Sequence, residues 1–389
     1  MKVNRAEIIQ ASGRVVVKVG SGVLTGAQGL DTARVADLAG QIARLGSGGR
    51  QVVLVSSGAI ATGAAHLRPG FSPSSIPEKQ AAAAMGQARL MQAYEDAFAP
   101  HGIKVAQVLL TGGDLRRRKR YLNARNTLIT LLGWGVLPII NENDTVAVAE
   151  IKLGDNDNLA ATLTNLLGAD LLINLTNVDG IMDADPRENP QARRIPLVER
   201  VTPELLKAAS AQPGAVGRGG ILSKVKAADK AARCGAHAIV ANGTKPGILD
   251  ELQGGSDRGT LFLPHAERLT RRKAWIAFDS EAVGELVVDE GAVRPLCEGG
   301  KSLLAAGIRQ VRGEFLGGAA VRVVGPGEAV IGMGLTNYSS DELAIIKGLR
   351  SQEIESRLGY KDYDEVIHRD NLVVFALEDE ESVACLLSS

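Results

Sequence analysis

Short apolar runs rich in β-branched residues recur along the first two thirds of the chain: Val15–Val19, Val52–Val55, Val105–Leu110, Val136–Ile140, Leu171–Leu175 and Ala238–Ala241. Their near-continuous apolarity, rather than strict alternation, is the pattern of strands covered on both faces. Between them lie amphipathic or alanine-rich stretches, Ala33–Leu45, Lys79–Phe98, Leu159–Leu167 and Leu222–Cys234, long enough to cross over between parallel strands. This arrangement predicts an α/β fold, a three-layer sandwich around a mainly parallel sheet.

After Leu263 the pattern changes. It passes through Pro264 and the basic Arg271-Arg272-Lys273 into short, glycine-punctuated runs, of which Gly284–Val288, Val321–Val324 and Ala329–Met333 read as strands. The expected organisation is a large domain over residues 1–264, a linker over 265–274 and a small, mostly β domain over 275–389. The acidic Glu378-Asp379-Glu380-Glu381 reads as a loosely ordered tail.

Charge sharpens this division. The whole chain of 389 residues balances at 44 Lys+Arg against 44 Asp+Glu, yet residues 1–271 carry 32 basic and 24 acidic side chains, net +8, and residues 272–389 carry 12 and 20, net −8. A basic first part suits an anionic substrate, and an acidic second part argues against a nucleic-acid backbone as its partner. The three cysteines, Cys234, Cys297 and Cys385, are far apart and have no metal-ligating or disulfide spacing, which fits a reduced cytoplasmic compartment. No uninterrupted apolar stretch approaches the roughly 20 residues that span a bilayer, so no membrane role is expected.

The candidate chemistry gathers at the carboxyl ends of the predicted strands, where an open parallel sheet forms its crevice. Neither the P-loop pattern nor G-x-G-x-x-G occurs. Instead, Lys18 is followed by Gly20-Ser21-Gly22, where backbone N–H groups can approach phosphate oxygens while the lysine neutralises charge. An ordinary glycine turn beside a snorkelling lysine would read the same way. Ser56-Ser57-Gly58-Ala59 ends the next strand, with helix N-capping as its plain alternative.

Asn141-Glu142-Asn143-Asp144 and Gly154-Asp155-Asn156-Asp157-Asn158 hold more short polar side chains than one helix cap can use. They suit an amino-acid ligand, with Asp144 accepting from an ammonium group and Asn141 and Asn156 bonding a carboxylate. A Ca²⁺ loop would need a D-x-D-x-D-G…E spacing that is missing. Farther on, Thr176-Asn177 close a strand, and Gly217-Arg218-Gly219-Gly220 leads into Ser223 and Lys224 at a helix start, the composition of an anion site or of a surface loop.

Taken together, K-V-G-S at 18–21, S-S-G-A-I at 56–60, I-N-E-N-D at 140–144, G-D-N-D-N at 154–158, L-T-N-V-D-G at 175–180, A-D-P-R at 184–187 and G-R-G-G-I-L-S-K at 217–224 resemble the glutamate 5-kinases of the amino-acid kinase family. The C-terminal part resembles the PUA domain that many of them carry. The resemblance covers almost the whole chain and implies direct transfer of the ATP γ-phosphoryl group to the glutamate side chain, the first step toward proline. By position it implies that Lys18 and Lys224 stabilise the phosphoryl group in flight and that Asp157 holds both lysines. It further implies that Ser57, Asp144 and Asn156, with Asn141 nearby, hold glutamate. Lys18, Gly20, Thr176, Asn177 and the loop Arg218, Gly219, Gly220, Ile221, Leu222, Ser223 and Lys224 would contact ATP, and Mg²⁺ would bridge the phosphates largely through water. A carboxylate nucleophile is already ionised at neutral pH, so no general base is required.

Proline is implied as a feedback inhibitor and a homo-oligomer as the assembly. The sequence departs from the family's pattern at Asn177, where aspartate is usual, and at Arg218 and Ile221, in a loop that usually reads G-T-G-G-M. The run Arg116-Arg117-Arg118-Lys119-Arg120 has no place in the catalytic pattern and reads as a solvated loop, with an oligomer contact second. Rival readings are an acetylglutamate or aspartate kinase on the same fold, or RNA binding through the PUA-like part, which the net −8 disfavours.

Overall fold

The computed structural model describes residues 4–26, 29–146, 156–185, 189, 191–210, 220–265 and 269–375, save the Arg271 side chain. The chain divides into two units, Met1–Arg268 and Leu269–Ser389.

The first unit is built on an eight-stranded sheet. Its strands run in the order Val105–Leu110, Leu137–Glu142, Gln51–Val55, Arg14–Val19, Leu171–Thr176, His237–Asn242, Thr260–Phe262 and Leu197–Val198. Neighbours through His237–Asn242 pair in parallel, and the direction reverses between that strand and Thr260–Phe262. The six predicted strands are all present, with ends shifted by two residues at most. The two short strands at that end of the sheet, Thr260–Phe262 and Leu197–Val198, were not anticipated, because three and two residues carry too little pattern to read.

Strand periodicity divides the sheet into two faces. Val15, Val17 and Val19, with Leu54, Ile139, Ile173 and Ile239, join a core completed by the helices Thr32–Leu45, Ile76–Phe98 and Ile248–Gln253. The opposite parity, which includes Lys18, faces the side on which Asn156–Leu167 packs against the first strand and against Ile221–Arg233. Fully burying each Leu, Ile or Val in these layers contributes about 1.5–3 kcal/mol.

Helix starts follow local chemistry. Ile76–Phe98 begins three residues before its expected start because Ser75 and Glu78 form a reciprocal capping box, with Pro77 in the first turn. It meets the helix Ala59–Leu67 with no side chain between the backbones: a Cβ on Gly63 would run into the Ala82 carbonyl, and one on Gly86 into the Ala59 carbonyl. Asn141 and Glu142, expected just after a strand, lie within it, in register with Leu109 and Leu110.

The basic run is a correction. Arg116 ends the helix Gly112–Arg116, and Arg118–Arg120 open the helix Arg118–Gly133. Thr111 and Asp114 cap the first of these reciprocally, and arginine is a good helix former, so the run is solvated but is not a loop.

In the second unit five strands form a sheet in the order Ile308–Arg312, Gly284–Val288, Ala320–Val324, Val330–Leu335 and Leu372–Val374. Only the pairing of Gly284–Val288 with Ala320–Val324 is parallel. Leu286, Val288, Val321, Val323 and Ile331 anchor a separate core with Tyr338, Leu343 and Ile354. The helix Arg271–Phe278 occupies part of the expected linker and buries Ala274, Trp275 and Ile276. The acidic tail lies outside the described residues.

Candidate active site

Lys18 follows three consecutive valines in the strand Arg14–Val19, and its backbone is in register with Val55 on one side and Asn174 on the other. Asp157, in the first turn of the helix Asn156–Leu167, is fully buried and receives the Lys18 ammonium on Oδ1. Lys224, in the first turn of Ile221–Arg233, reaches Oδ2 of the same carboxylate at 3.2 Å. Ser223 Oγ donates to Oδ2 at 2.8 Å, and Asn174 Nδ2 donates to Oδ1 at 2.8 Å. Three separate elements therefore converge on one carboxylate.

Burial by itself would raise the Asp157 carboxyl. The ammoniums of Lys18 and then Lys224, with hydrogen bonds from Lys18 and Ser223, outweigh it and hold the group well below the usual carboxylate range. Asp157 is thus ionised, and it fixes two cations side by side at 5% exposure each. This geometry suits a group on which negative charge moves during transfer.

A second, uncharged cluster adjoins it through Asn156. Asn156 Nδ2 donates to Ser57 Oγ at 2.8 Å, to Asn141 Oδ1 at 3.1 Å and to the Ser56 carbonyl at 3.1 Å. Asn141 Nδ2 donates in turn to Gln87 Oε1 at 2.9 Å, and Asn141 Oδ1 also accepts from the Glu142 N–H. The amide hydrogens that the sequence reading assigned to a ligand carboxylate are therefore engaged with protein acceptors. Asn156 Oδ1 has no hydrogen-bond partner in the described structure.

Neither serine caps the helix that follows. Gly58 occupies the N-cap with φ 104°, a left-handed conformation suited to glycine, and makes no side-chain cap. Ser57 Oγ is left to Asn156, while Ser56 Oγ pairs with the hydroxyl of the buried Tyr94 at 2.9 Å. Asp144 stands in the turn directly after the strand Leu137–Glu142, its N–H bonded to the Glu142 carbonyl.

The remaining predicted contacts lie on adjoining loops. Gly20 donates its N–H to the Leu175 carbonyl at 2.9 Å, and a Cβ at Gly20 would stand 3.9 Å from Lys18 Nζ. Asn177 lies against Gly22, and Thr176 Oγ1 donates to Asn177 Oδ1 at 3.4 Å. Gly220 is the N-cap of the helix carrying Ile221, Leu222, Ser223 and Lys224, with the Ile221 side chain buried. Arg218 and Gly219, like Gly154, Asp155, Pro186 and Arg187, lie outside the described residues.

The sequence profile of the amino acid kinase family matches residues 13–242, a span that contains every side chain of both clusters. The chain belongs to the amino acid kinase family. A PUA domain profile matches residues 284–358. The chain is 53% identical over 371 residues to the glutamate 5-kinase of Geobacter sulfurreducens, covering 95% of this chain and 100% of that one. It is 52% identical, with the same coverage, to the glutamate 5-kinase of Pelobacter propionicus. Among solved structures, a carbamate kinase from Giardia lamblia aligns with 66% of this chain and 100% of its own, at 20% identity and a TM-score of 0.47.

Two residues of this family member's site escaped the sequence reading. Asn174 had a signal: it is the single polar residue among five in the run Leu171–Leu175, where an unpaired amide would be costly. Gln87 had a weaker one, four positions after Ala83 and three before Leu90 on the buried stripe of its helix.

Proposed function

We propose that this protein is an ATP-dependent phosphotransferase that acts as a glutamate 5-kinase, giving γ-glutamyl phosphate and ADP. An oxygen of the ionised side-chain carboxylate attacks the γ-phosphorus as the bond to the β,γ-bridging oxygen breaks, and that oxygen leaves on ADP. The observation that carries the reading is the buried Asp157 carboxylate holding Lys18 and Lys224 together. Transfer of a phosphoryl group between two anions needs fixed positive charge more than it needs a base, and these lysines provide it in a site shielded from water.

On this reading Lys18 and Lys224 stabilise the equatorial oxygens of the phosphoryl group, and Asp157 keeps both ammoniums in place. Ser57, Asp144 and Asn156, backed by Asn141, hold the amino-acid end of glutamate. Lys18, Gly20, Thr176, Asn177 and the segment 218–224 receive the nucleotide. The Asp157 oxygens already accept from two ammoniums, an amide and a hydroxyl. That set leaves no lone pairs suited to a metal, and it fits Mg²⁺ carried on the phosphates with water ligands; the ion's chemistry is to screen the β- and γ-oxygens.

On the same reading the reaction stands at the entry to proline biosynthesis, and its proposed compartment is the cytoplasm. Proline, with an ammonium and an α-carboxylate like those of glutamate, acts as an inhibitor at or beside the glutamate subsite. A homo-oligomer is the proposed assembly, without RNA or membrane partners. Among the described residues no helix is long and apolar enough to cross a membrane.

The test is ATP consumption with Mg²⁺ and glutamate, with the acyl phosphate trapped by hydroxylamine. Hydroxamate forms with the wild type and falls by about 10²–10³ in Lys224→Ala. A folded wild type that yields hydroxamate only from aspartate or N-acetylglutamate would overturn the substrate assignment.

A further inference from the structure

The neutral cluster has a direction. Gln87 Nε2 donates to Gln107 Oε1 at 3.2 Å, Asn141 Nδ2 donates to Gln87 Oε1, and Asn156 Nδ2 donates to Asn141 Oδ1 and Ser57 Oγ. Every amide from Asn156 outward donates to the next, ending at Gln107 on the strand Val105–Leu110, and the same Asn156 NH₂ that starts the series also donates to Ser57. Each side-chain amide has one donor end and one acceptor end, and half a turn about its last bond exchanges them.

The orientation of Asn141 decides the rest. Reversed, it would turn its NH₂ toward the Glu142 N–H and the Asn156 NH₂, so that donors would face donors, and Gln87 Oε1 would meet an oxygen. Asn156 is held the same way, because reversing it would set its carbonyl against the Ser56 carbonyl and Asn141 Oδ1. Its Oδ1 is accordingly the end that stands without a partner. With Asn156 donating, Ser57 Oγ acts as acceptor inside the protein, and its own hydrogen is directed elsewhere.

We propose that Gln87 is a positioning residue that, together with the Glu142 N–H and the Ser56 carbonyl, holds the donor and acceptor polarity of the Asn141–Asn156–Ser57 series, so that Ser57 offers its hydroxyl hydrogen to a carboxylate oxygen of the amino-acid substrate. This rests on the glutamate kinase reading. A hydroxyl that donates to a carboxylate makes a charge-assisted bond, whereas one that must donate to Asn156 presents only lone pairs to the same anion. Gln87 acts without reaching the substrate, through Asn141, and it is itself aligned by Gln107 on the strand Val105–Leu110.

The experiment compares steady-state kinetics of the wild type, Gln87→Leu and Gln87→Glu, following hydroxamate. Gln87→Leu removes the acceptor that holds Asn141 and raises KM for glutamate about tenfold. Its kcat and its KM for ATP stay within about twofold of wild type, the signature of lost binding that ground and transition states share. Gln87→Glu keeps an acceptor for Asn141 and restores most of the glutamate affinity, which a purely structural role for the glutamine would not explain. Gln87→Met serves in place of Gln87→Leu where the latter does not fold.

An unchanged glutamate KM in Gln87→Leu would overturn the proposal. So would a Gln87→Glu variant as impaired as Gln87→Leu. Both results leave the kinase reading intact when the wild type forms hydroxamate from glutamate, and a wild type that forms none overturns that reading and this role with it.

Discussion

The two halves of the site solve different problems with different chemistry. Around Asp157, two ammoniums, a hydroxyl and an amide all point at one buried carboxylate. Around Asn156, side-chain hydrogen bonds join neutral amides and a hydroxyl. On the proposed reading, formal charge sits where charge redistributes during the reaction, and neutral, directional groups sit where the shape and polarity of an amino acid must be read. A buried ion cluster is costly unless every partner is present, whereas a neutral series tolerates the loss of one member at modest cost. The first half should therefore govern turnover and stability together, and the second substrate affinity.

The sharpest way to break that contrast is Asp157→Asn. It leaves two buried ammoniums without their shared counter-charge, and the expected cost is about 3–5 kcal/mol of stability together with near-complete loss of turnover. The sign of the pH effect follows from the depressed carboxyl: Asp157 contributes stability above its unfolded value, about pH 4, and loses it as pH falls through the lower folded value. Denaturant titrations across pH should show the gap between wild type and Asp157→Asn widest above about pH 4 and narrowing below it. A constant gap would mean that the carboxylate's charge is not what stabilises the cluster.

Next in size, Ser57→Ala removes a hydroxyl from the neutral half. Glutamate KM should rise about tenfold, with little change in kcat or in the thermal midpoint. A fall in kcat with KM unchanged would move Ser57 into the charged half and erase the distinction.

The smallest effect is expected from Asn174→Leu. Only one of the donors to Asp157 is lost, and the lysines stay, so kcat should fall roughly fivefold, about 1 kcal/mol, with glutamate KM unchanged. A shift in glutamate KM instead would show that the strand bearing Asn174 serves the amino-acid subsite.

The contrast also explains what could be read from the chain. The charged half was legible because Lys18 breaks a run of valines and Asp157 sits in a dense polar motif, so both stand out against their surroundings. The neutral half was legible only as a set of residue types: the motifs located Ser57, Asn141 and Asn156, but not which end of each amide faces which neighbour. That polarity is held by two backbone groups, the Glu142 N–H and the Ser56 carbonyl, and by Gln87, 54 positions from Asn141 in sequence and brought there by helix packing. The fold followed the same rule. Strands in the middle of the sheet announced themselves by apolarity, while Leu197–Val198 and Thr260–Phe262 at one end of it, and Ile308–Arg312 with three polar residues in five, carried too short or too mixed a pattern.

The bare contact between the helices Ala59–Leu67 and Ile76–Phe98 bears on how this protein can change over generations. Gly63 and Gly86 touch no substrate in any reading of the site. Yet Ala59 begins its helix two residues after Ser57, and Gly86 immediately precedes Gln87, so the distance between the helix backbones is also the distance over which the polar series must reach. Adding one methyl at either glycine would wedge the helices apart and draw Gln87 away from Asn141. In a survey of surviving variants these two positions should be as invariant as the lysines, and an observer guided by invariance alone would mistake a spacer for a ligand.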